Sequence, residues 1–255
     1  MVFNRRGFCG TFTLTVSLFL LGCGTSGNSY VRTVNASPGL ADYTVQVAQT
    51  GIASSLPYGT EGVQQPGQYA SADTSGNYRP VGAGANQEII VYTTAGSAPL
   101  ASETQSLLTN SDYTIVTLNP APSISLLTLT DDNAAPTSGN YNLRFVQSSP
   151  NSGAIDVYLV PPGTNLGTAT PTLSNLLFGQ VTIPYLSLTP GTYELQVTPH
   201  GNPGKVLVNV VFSPKAGNIY SAFALDPAPG SNNFGLLITT DPVSTTTTMA
   251  SGTGG

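Results

Sequence analysis

The sequence Val-Arg-Thr-Val-Asn-Ala-Ser-Pro at residues 31–38 reveals how the chain is organised, because a matching stretch, Leu-Arg-Phe-Val-Gln-Ser-Ser-Pro, returns at residues 143–150. Arg32 and Arg144 are separated by 112 positions in these two copies. Further matches follow in the same order down both halves and end with residues 126–131 and 236–241. Self-similarity at a fixed period is the signature of repeated structural units. We therefore predict a tandem duplication, with units at residues 30–137 and 138–243.

The same alignment assigns counterparts to individual residues. An aspartate, a Tyr/Phe-Gly pair and several tyrosines recur, and the matched positions are Asp42 and Asp156, Tyr58-Gly59 and Phe178-Gly179, Tyr69 and Tyr185, Tyr78 and Tyr193, and Tyr113 and Tyr220. Because these tyrosines recur between the units, they suit core or corner positions better than one aromatic binding face. The chain also has no tryptophan, which further weakens a carbohydrate-binding interpretation.

Both units have the pattern of short β-strands. Runs rich in Val, Ile, Leu, Tyr and Thr are separated by Gly, Pro, Asn and Ser clusters. Residues 193–197 alternate apolar and polar side chains, which is typical of a half-buried strand. Residues 206–212 are apolar on both faces, and this predicts a central strand or a contact between layers. About seven strands in each unit favour a two-sheet sandwich, because such a sandwich presses two apolar faces together.

A short leader precedes the first unit. Arg5-Arg6 is followed by a mostly apolar run that closes with Leu20-Leu21-Gly22-Cys23. This run is too short for a comfortable membrane span, which needs about 20 apolar residues, and its layout is that of a secretion signal. The tetrapeptide resembles the lipobox of bacterial lipoproteins, which implies cleavage between Gly22 and Cys23 and acylation of Cys23. An ordinary signal peptide with an unrelated cysteine is the alternative, and a retained transmembrane anchor is a third interpretation.

The route of export and the target membrane follow from two weaker features. Asn4 to Phe8 resembles the core of a twin-arginine signal, which leaves export by the general or the twin-arginine route open. Gly24 is not the aspartate that retains many lipoproteins at the inner membrane. We therefore expect a cell-envelope location, with the outer membrane favoured if the host has two membranes.

Composition excludes several classes of function. Removing residues 1–22 takes away Arg5 and Arg6, so the mature chain has 5 basic and 12 acidic residues. Nucleic-acid binding needs clustered Lys and Arg, and the five that remain are scattered. Cys9 leaves with the leader and Cys23 would be acylated, so we expect no disulfide. Stability must then come from apolar burial.

The repeated pattern resembles the bacterial family called domain of unknown function 4397. Its elements are a valine-rich strand with an Asn-Ala-Ser-Pro-like turn, an Asp-Val-Tyr-like strand, a Phe/Tyr-Gly element and a Pro-Ala-Gly-x-Tyr-like hairpin. In this chain they correspond to residues 31–38, 42–45 and 58–59, and then to residues 143–150, 156–159, 178–179 and 189–193. The resemblance implies an all-β fold of two tandem immunoglobulin-like or transthyretin-like β-sandwich domains. It implies an envelope protein with no established activity.

Residues for catalysis or metal binding are few. His200 is the one histidine, and it lies in the turn-rich stretch 199–204, where we expect a solvated loop side chain. Zinc or copper sites built on several His or Cys ligands are excluded by count. Calcium stays possible near Asp131-Asp132-Asn133, although a strand-end turn is the preferred interpretation. No metal and no cofactor is predicted.

Paired carboxylates of a glycosidase type are not singled out. The four glutamates of the mature chain fall at positions that do not match between the units: Glu61, Glu88, Glu103 and Glu194. The recurring polar residues Arg32, Asp42, Arg144 and Asp156 are the best candidates for a role. We expect them to form structural cross-strand pairs or turn caps, and a ligand-binding role is the alternative.

These observations predict a non-catalytic, lipid-anchored envelope protein whose two sandwiches act as spacer or interaction surface. A surface protein that binds glycan or peptide is the alternative, and an enzyme with an unrecognised carboxylate site is the third hypothesis. The membrane and envelope proteins or glycans are the expected partners. The linker at residues 23–29 is short, since six flexible residues reach about 14 Å. We expect the first sandwich close to the membrane, the second outermost, and a disordered tail at residues 244–255.

Overall fold

The computed structural model describes residues 27–40, 43–53, 56–62, 78–93 and 98–244. The predicted signal peptide at residues 1–22, Cys23 and most of the tail lie outside these residues. The described residues form 17 β-strands and one 3₁₀ turn at Pro150–Ser152, so the all-β prediction is confirmed. Over the described ranges, no helix has the length and apolar character to cross a membrane.

Nine strands lie in the described part of the first unit. Their bounds are β1 Asn28–Asn35, β2 Tyr43–Val47, β3 Thr50–Ala53, β4 Glu61–Gly62, β5 Arg79–Gly82, β6 Gly84–Thr93, β7 Pro99–Leu107, β8 Asp112–Leu118 and β9 Ser125–Asp131. They form two sheets. The first has the order β4-β1-β8-β9 with β5 also paired to β1, and the second has the order β3-β2-β6-β7. We call the first the inner sheet and the second the outer sheet.

Eight strands form the second unit in the same way. Their bounds are β10 Tyr141–Gln147, β11 Ile155–Val160, β12 Leu173–Leu176, β13 Leu186–Leu188, β14 Tyr193–Pro199, β15 Val208–Phe212, β16 Ile219–Leu225 and β17 Gly235–Asp241. The inner sheet has the order β13-β10-β16-β17 and the outer sheet β12-β11-β14-β15. Both inner sheets pair their first strand in parallel with the strand before last, β1 with β8 and β10 with β16. The two-sandwich prediction is confirmed, while the predicted unit limits stay a prediction.

Alternating side chains of each strand explain the burial inside each sandwich. In the first unit, Val31, Tyr113 and Ile115 point from the inner sheet toward Val45 and Val91 of the outer sheet. The second unit repeats this core with an edge-to-face cluster of Tyr141, Phe212 and Tyr220, whose ring centroids are 5.2–6.0 Å apart. Each buried aliphatic or aromatic side chain contributes about 1.5–3 kcal/mol, so these cores are the main source of stability.

The two inner sheets pack against each other through their remaining faces. Val34 and Val116 of the first unit share a buried apolar cluster with Val146, Phe223 and Leu225 of the second. Strands β1, β8, β10 and β16 are therefore buried on both faces. The molecule is a stack of four sheets, in the order outer, inner, inner, outer.

The two units point in the same direction. Near the starts of β1 and β10, Arg32 contacts Asp241 of the second unit. Near the opposite ends of the strands, the Tyr58 hydroxyl donates a 2.6 Å hydrogen bond to the Asp226 carbonyl. Two such contacts at opposite ends require parallel orientation. The units thus lie side by side in the stack, and the expected order of the two units from the membrane stays a prediction.

For residues 206–212, the prediction of a central strand is wrong. β15 is the edge strand of its outer sheet, and the Val211 side chain is 71% exposed. Its inward positions Val208 and Phe212 join the core, as the apolar pattern requires. The sequence pattern could not show that Val211 faces solvent, because valine is compatible with a β-strand whether its side chain is buried or exposed.

Candidate functional site

Four charged side chains are buried between the two inner sheets. Arg32 lies on β1, Asp131 at the end of β9, Arg144 on β10 and Asp241 at the end of β17. All four residues are at most 8% exposed. Buried charges are costly unless they are paired and hydrogen-bonded, so their arrangement needs an explanation.

Each arginine makes its shortest ion pair with the aspartate of the other unit. The Arg32 Nη2 to Asp241 Oδ1 distance is 2.8 Å, and the Arg144 Nη1 to Asp131 Oδ1 distance is 2.6 Å. The distances to the aspartate of the same unit are 3.8 Å in both cases. The duplicated chain therefore exchanges charges across an approximately two-fold interface, as the two subunits of a symmetric dimer would.

Two hydroxyl groups complete the pairing inside each unit. The Arg32 Nε donates to Thr114 Oγ1 at 2.7 Å, and Thr114 Oγ1 donates to Asp131 at 2.6 Å. In the second unit, the Arg144 Nε donates to Ser221 Oγ at 3.1 Å, and Ser221 donates to Asp241 at 2.6 Å. Thr114 and Ser221 occupy the same register position beside the arginine of their unit. These bonds satisfy donors that burial would otherwise leave without a partner.

An aromatic ring covers each guanidinium group. The Arg32 Cζ lies 5.1 Å from the ring centroid of Tyr78, and the Arg144 Cζ lies 5.0 Å from that of Tyr185. Such cation–π contacts stabilise a desolvated cation by about 2 kcal/mol. The structural counterpart of Tyr78 is therefore Tyr185, and the sequence alignment that matched Tyr78 with Tyr193 is wrong. Tyr193 instead begins β14, a strand whose counterpart β6 begins at Gly84.

The network favours the charged forms of Asp131 and Arg32. Burial raises the pKa of the Asp131 carboxyl, but Arg144 and Arg32 outweigh it and hold that pKa below its usual range. Burial lowers the pKa of Arg32, yet Asp241 and Asp131 raise it well above its ordinary value. Asp131 and Arg144 therefore meet as a charged pair at neutral pH.

The two flanks of the network differ at one position. On β1 the register partner of Val34 is Glu61, whose Oε1 lies 3.0 Å from the Arg32 Nη1. On β10 the corresponding partner of Val146 is Val181. A cavity of about 410 Å³ lies on this second flank, between residues 128–132 of the first unit and Arg144, Val181 and residues 183–185 of the second.

Arg144 and Asp156 do not form one of the expected cross-strand pairs. Asp156 lies on β11 of the outer sheet, whereas Arg144 turns outward from the inner sheet toward the other unit. Asp156 accepts hydrogen bonds from Ser174 Oγ, the Asn175 backbone and the Gly201 backbone, each 2.9 Å long. The turn-capping alternative therefore describes it well. Asp42, the predicted partner of Arg32, lies outside the described residues.

His200 contacts the Asp156 carboxylate that caps this turn. Its Nδ1 lies 2.9 Å from Asp156 Oδ1, and its side chain is 47% exposed. The prediction of a solvated loop histidine holds for its exposure, although the bond to Asp156 was not expected. Burial raises the pKa of Asp156, but the Gly201 and Asn175 N–H groups, His200 and Ser174 lower it to about 2.

Sequence reasoning missed the role of the aspartates that end β9 and β17. It assigned Asp131 to a strand-end turn, although Asp131 belongs to the ion network. The available signal was the recurrence of Asp131 and Asp241 together with Arg32 and Arg144, which gives two acids and two bases in otherwise apolar strands. Asp132 and Asn133 do form the expected turn contacts, through Ala134 N and the Asp112 carboxylate.

Residues of the family motif stabilise the strand ends. Asn35 donates through its side chain to the carbonyls of Leu40 and Leu56. Gln147, its counterpart, donates to Ser152 and Gly153. The N–H groups of Gly59 and Gly179 donate to the carbonyls of Asn35 and Gln147 at 2.8 Å, and both glycines have a positive φ that favours glycine. The recurring turn residues therefore have structural roles.

The glutamates do not form a catalytic pair. Glu61 contacts Arg32, Glu103 accepts from Thr128 on the first unit, and Glu194 accepts from Gln196 on the second. Glu88 and Glu103 are one register position apart on β6 and β7, so their side chains leave opposite faces of the outer sheet. Within the described residues, no three His, Cys, Asp or Glu side chains are grouped so that they could hold a metal ion.

Comparison with solved structures finds a crystal structure of CBMbc, a family CBM26 module of Amy13K from Eubacterium rectale, in complex with maltoheptaose. The match has a TM-score of 0.23 and 11% sequence identity, and it covers 86% of this chain and 98% of that chain. A similarity at this level carries no argument about function. No curated protein matches the chain.

The comparison with protein families confirms the resemblance that the repeated motifs indicate. The family model matches residues 29–158, which span the first unit and the second unit as far as β11. This covers about half of the chain. The protein belongs to the family described as domain of unknown function DUF4397.

Proposed function

We propose that this protein is a non-catalytic, lipid-anchored component of the cell envelope, in which two sandwiches form one rigid spacer or interaction module. The observation that carries the proposal is the charge exchange between the units, in which Arg32 contacts Asp241 and Arg144 contacts Asp131. Together with the apolar cluster between the inner sheets, it makes independent motion of the units costly. A rigid body suits a protein that presents a surface at a fixed distance from its anchor.

The roles of the motif residues support a non-catalytic protein. Asn35, Gln147, Gly59 and Gly179 close turns, and the buried ionic residues join the units. Fold alone does not imply function, and function has to be argued from a site. Here the recurring polar residues are already engaged in holding the structure together.

The proposed anchor is Cys23, after cleavage behind Gly22. β1 starts at Asn28, and the last strands β9 and β17 end at the same level, beside the starts of β8 and β16. Because the two units are parallel, we propose that both stand on the membrane with the same end. Two or more acyl chains make such an anchor stable, since each buried methylene contributes about 0.8 kcal/mol. The outer membrane is the proposed location if the host has two membranes.

Metabolic labelling with an alkyne palmitate in cells that express the full chain tests the anchor. We expect the label in the wild-type protein and its absence in Cys23→Ala, with the variant released from the membrane fraction. Equal labelling of both proteins would contradict the anchor. Proximity labelling from the intact envelope then tests the module, because a spacer or interaction surface requires reproducible neighbours.

Binding of glycan or peptide is a second candidate function. The cavity between the units favours it, since it is concave, lined by Tyr185 and provided with polar groups from Thr128, Thr130 and Arg144. Ligand sites usually combine an apolar wall with a few convergent polar groups. A glycan array probed with the wild type and with Ile183→Ser, a change at the rim of the cavity, tests this candidate. Identical signals from both proteins would count against it.

A further inference from the structure

The two flanks of the ion network differ by a carboxylate. Arg32 has a third acidic partner, Glu61, at 3.0 Å. Val181 occupies the matching register position beside Arg144, and it is shorter and carries no charge. The space on this flank is the cavity of about 410 Å³. The first unit thus has a carboxylate at a register position where the second unit has an aliphatic side chain.

The wall of the cavity is mainly apolar. Leu129, Val181, Ile183 and Pro184 provide aliphatic surface, and the Tyr185 ring lies near the Arg144 guanidinium group. Ile183 is 79% exposed, so the cavity opens to solvent at this residue. Such a wall suits the hydrocarbon or aromatic body of a small molecule.

Arg144 retains capacity for another acceptor. A guanidinium group has five N–H donors. The hydrogen bonds of Arg144 to Asp131 and Ser221 use one N–H on each of its three nitrogens. Each terminal nitrogen has two N–H groups, so Nη1 and Nη2 each keep one N–H that these hydrogen bonds do not use.

We propose that this cavity binds a small monocarboxylic acid with an apolar body, and that the carboxylate meets Arg144 as Glu61 meets Arg32. The inference goes beyond the proposed anchor and module and depends on neither.

Electrostatics limits the expected affinity. Asp131 and Asp132 also line the cavity and oppose an incoming anion. Glu61 experiences the same kind of repulsion from Asp241 and Asp131 and still forms its ion pair with Arg32. We therefore expect one weak site, with a dissociation constant in the millimolar range, about −4 kcal/mol.

Fluorine NMR titration of the full-length protein tests the proposal with three probes that share one body. These are para-fluorobenzoate, para-fluorobenzyl alcohol and para-fluorobenzylamine. We expect the benzoate to bind one site about tenfold more tightly than the alcohol, which corresponds to about 1.4 kcal/mol. Equal binding of the alcohol or the amine, or no benzoate binding at millimolar concentration, would overturn the proposal.

Variants locate the site. Val181→Glu places a carboxylate at the position that Glu61 occupies on the other flank, and we expect this variant to reduce the affinity for benzoate at least about tenfold. Val181→Thr keeps the side-chain volume and should reduce the affinity little. Ile183→Glu changes an exposed residue and should also weaken binding without loss of folding. Val211→Glu is its matched control on β15, far from the cavity. Unchanged binding in both cavity glutamate variants would place the benzoate elsewhere and overturn the assignment.

Discussion

Replacing Arg144 by methionine tests whether the exchange network stabilises the two units as one body. Methionine keeps much of the side-chain volume and removes the charge. Asp131 then loses its 2.6 Å partner while it stays buried. Removing one member of a buried ion pair costs about 3–5 kcal/mol, because the other charge is left uncompensated.

The contacts that remain set the expected magnitude. Asp131 keeps hydrogen bonds from Thr114 and Tyr78, each 2.6 Å long, and it keeps Arg32 at 3.8 Å. Because these partners remain, we expect Arg144→Met to lower the free energy of unfolding by about 3 kcal/mol, the lower end of this range. For a protein of this size, that loss lowers the melting temperature by about 6–12 °C.

Urea unfolding of the full-length protein, followed by far-ultraviolet circular dichroism, measures the effect. Lys205→Met is the control, since Lys205 is exposed and such changes stay within about 0.5 kcal/mol. The variants Asp131→Asn and Asp131→Asn/Arg144→Met complete a double-mutant cycle. We expect Arg144→Met to lower the free energy of unfolding by less when residue 131 is already asparagine. A loss below about 1 kcal/mol for Arg144→Met, or full additivity of the two changes, would refute the reasoning.

Three further predictions follow from the caps, the glycine turns and the leader. The Asp156 pKa of about 2 lies below its ordinary value, so the ionised Asp156 contributes at most about 2 kcal/mol to the free energy of unfolding above about pH 4, and this contribution is lost as the pH falls toward 2. Asp156→Asn should flatten this part of a plot of stability against pH, and a plot unchanged by the variant would exclude the cap. Gly59→Ala should lower the melting temperature more than Gly179→Ala. Both glycines have a positive φ, but only at position 59 would the added Cβ contact the Leu225 side chain, at 3.3 Å. Thermal melts that rank the two variants in the opposite order would contradict this packing. Membrane fractionation of Cys23→Ala should move the protein to the soluble fraction, and retention in the membrane would argue for an uncleaved leader instead.

Much of the fold could be predicted from local patterns in the chain. Alternation at residues 193–197 predicted a half-buried strand. β14 does span Tyr193–Pro199, but Gln196 and Thr198 on its polar face are buried as well. The repeated blocks predicted two sandwiches, because each block brings the same turn chemistry to the same strand end. The register of β8 and β16 agrees with the match of Tyr113 and Tyr220, whose hydroxyls accept the N–H groups of Leu108 and Lys215.

The errors concern partners rather than elements. Cross-strand pairing was one of two expectations for Arg144 and Asp156, although these residues face different layers. Tyr78 was matched with Tyr193 through a Gly-x-Tyr pattern, whereas its role is taken by Tyr185. Period-two alternation tells on which face a side chain lies but not what covers that face.

The class of the fold, the duplication and the charged residues that the two copies share can all be read from the amino-acid sequence. The three-dimensional packing established that the inner sheets lie face to face, so that Arg32 meets Asp241 and Arg144 meets Asp131. It also decided that Val181 leaves a cavity where Glu61 closes the other flank. The physical reason is that a buried charge takes its partner from whatever surface desolvates it, and that surface belongs to the other unit of the chain.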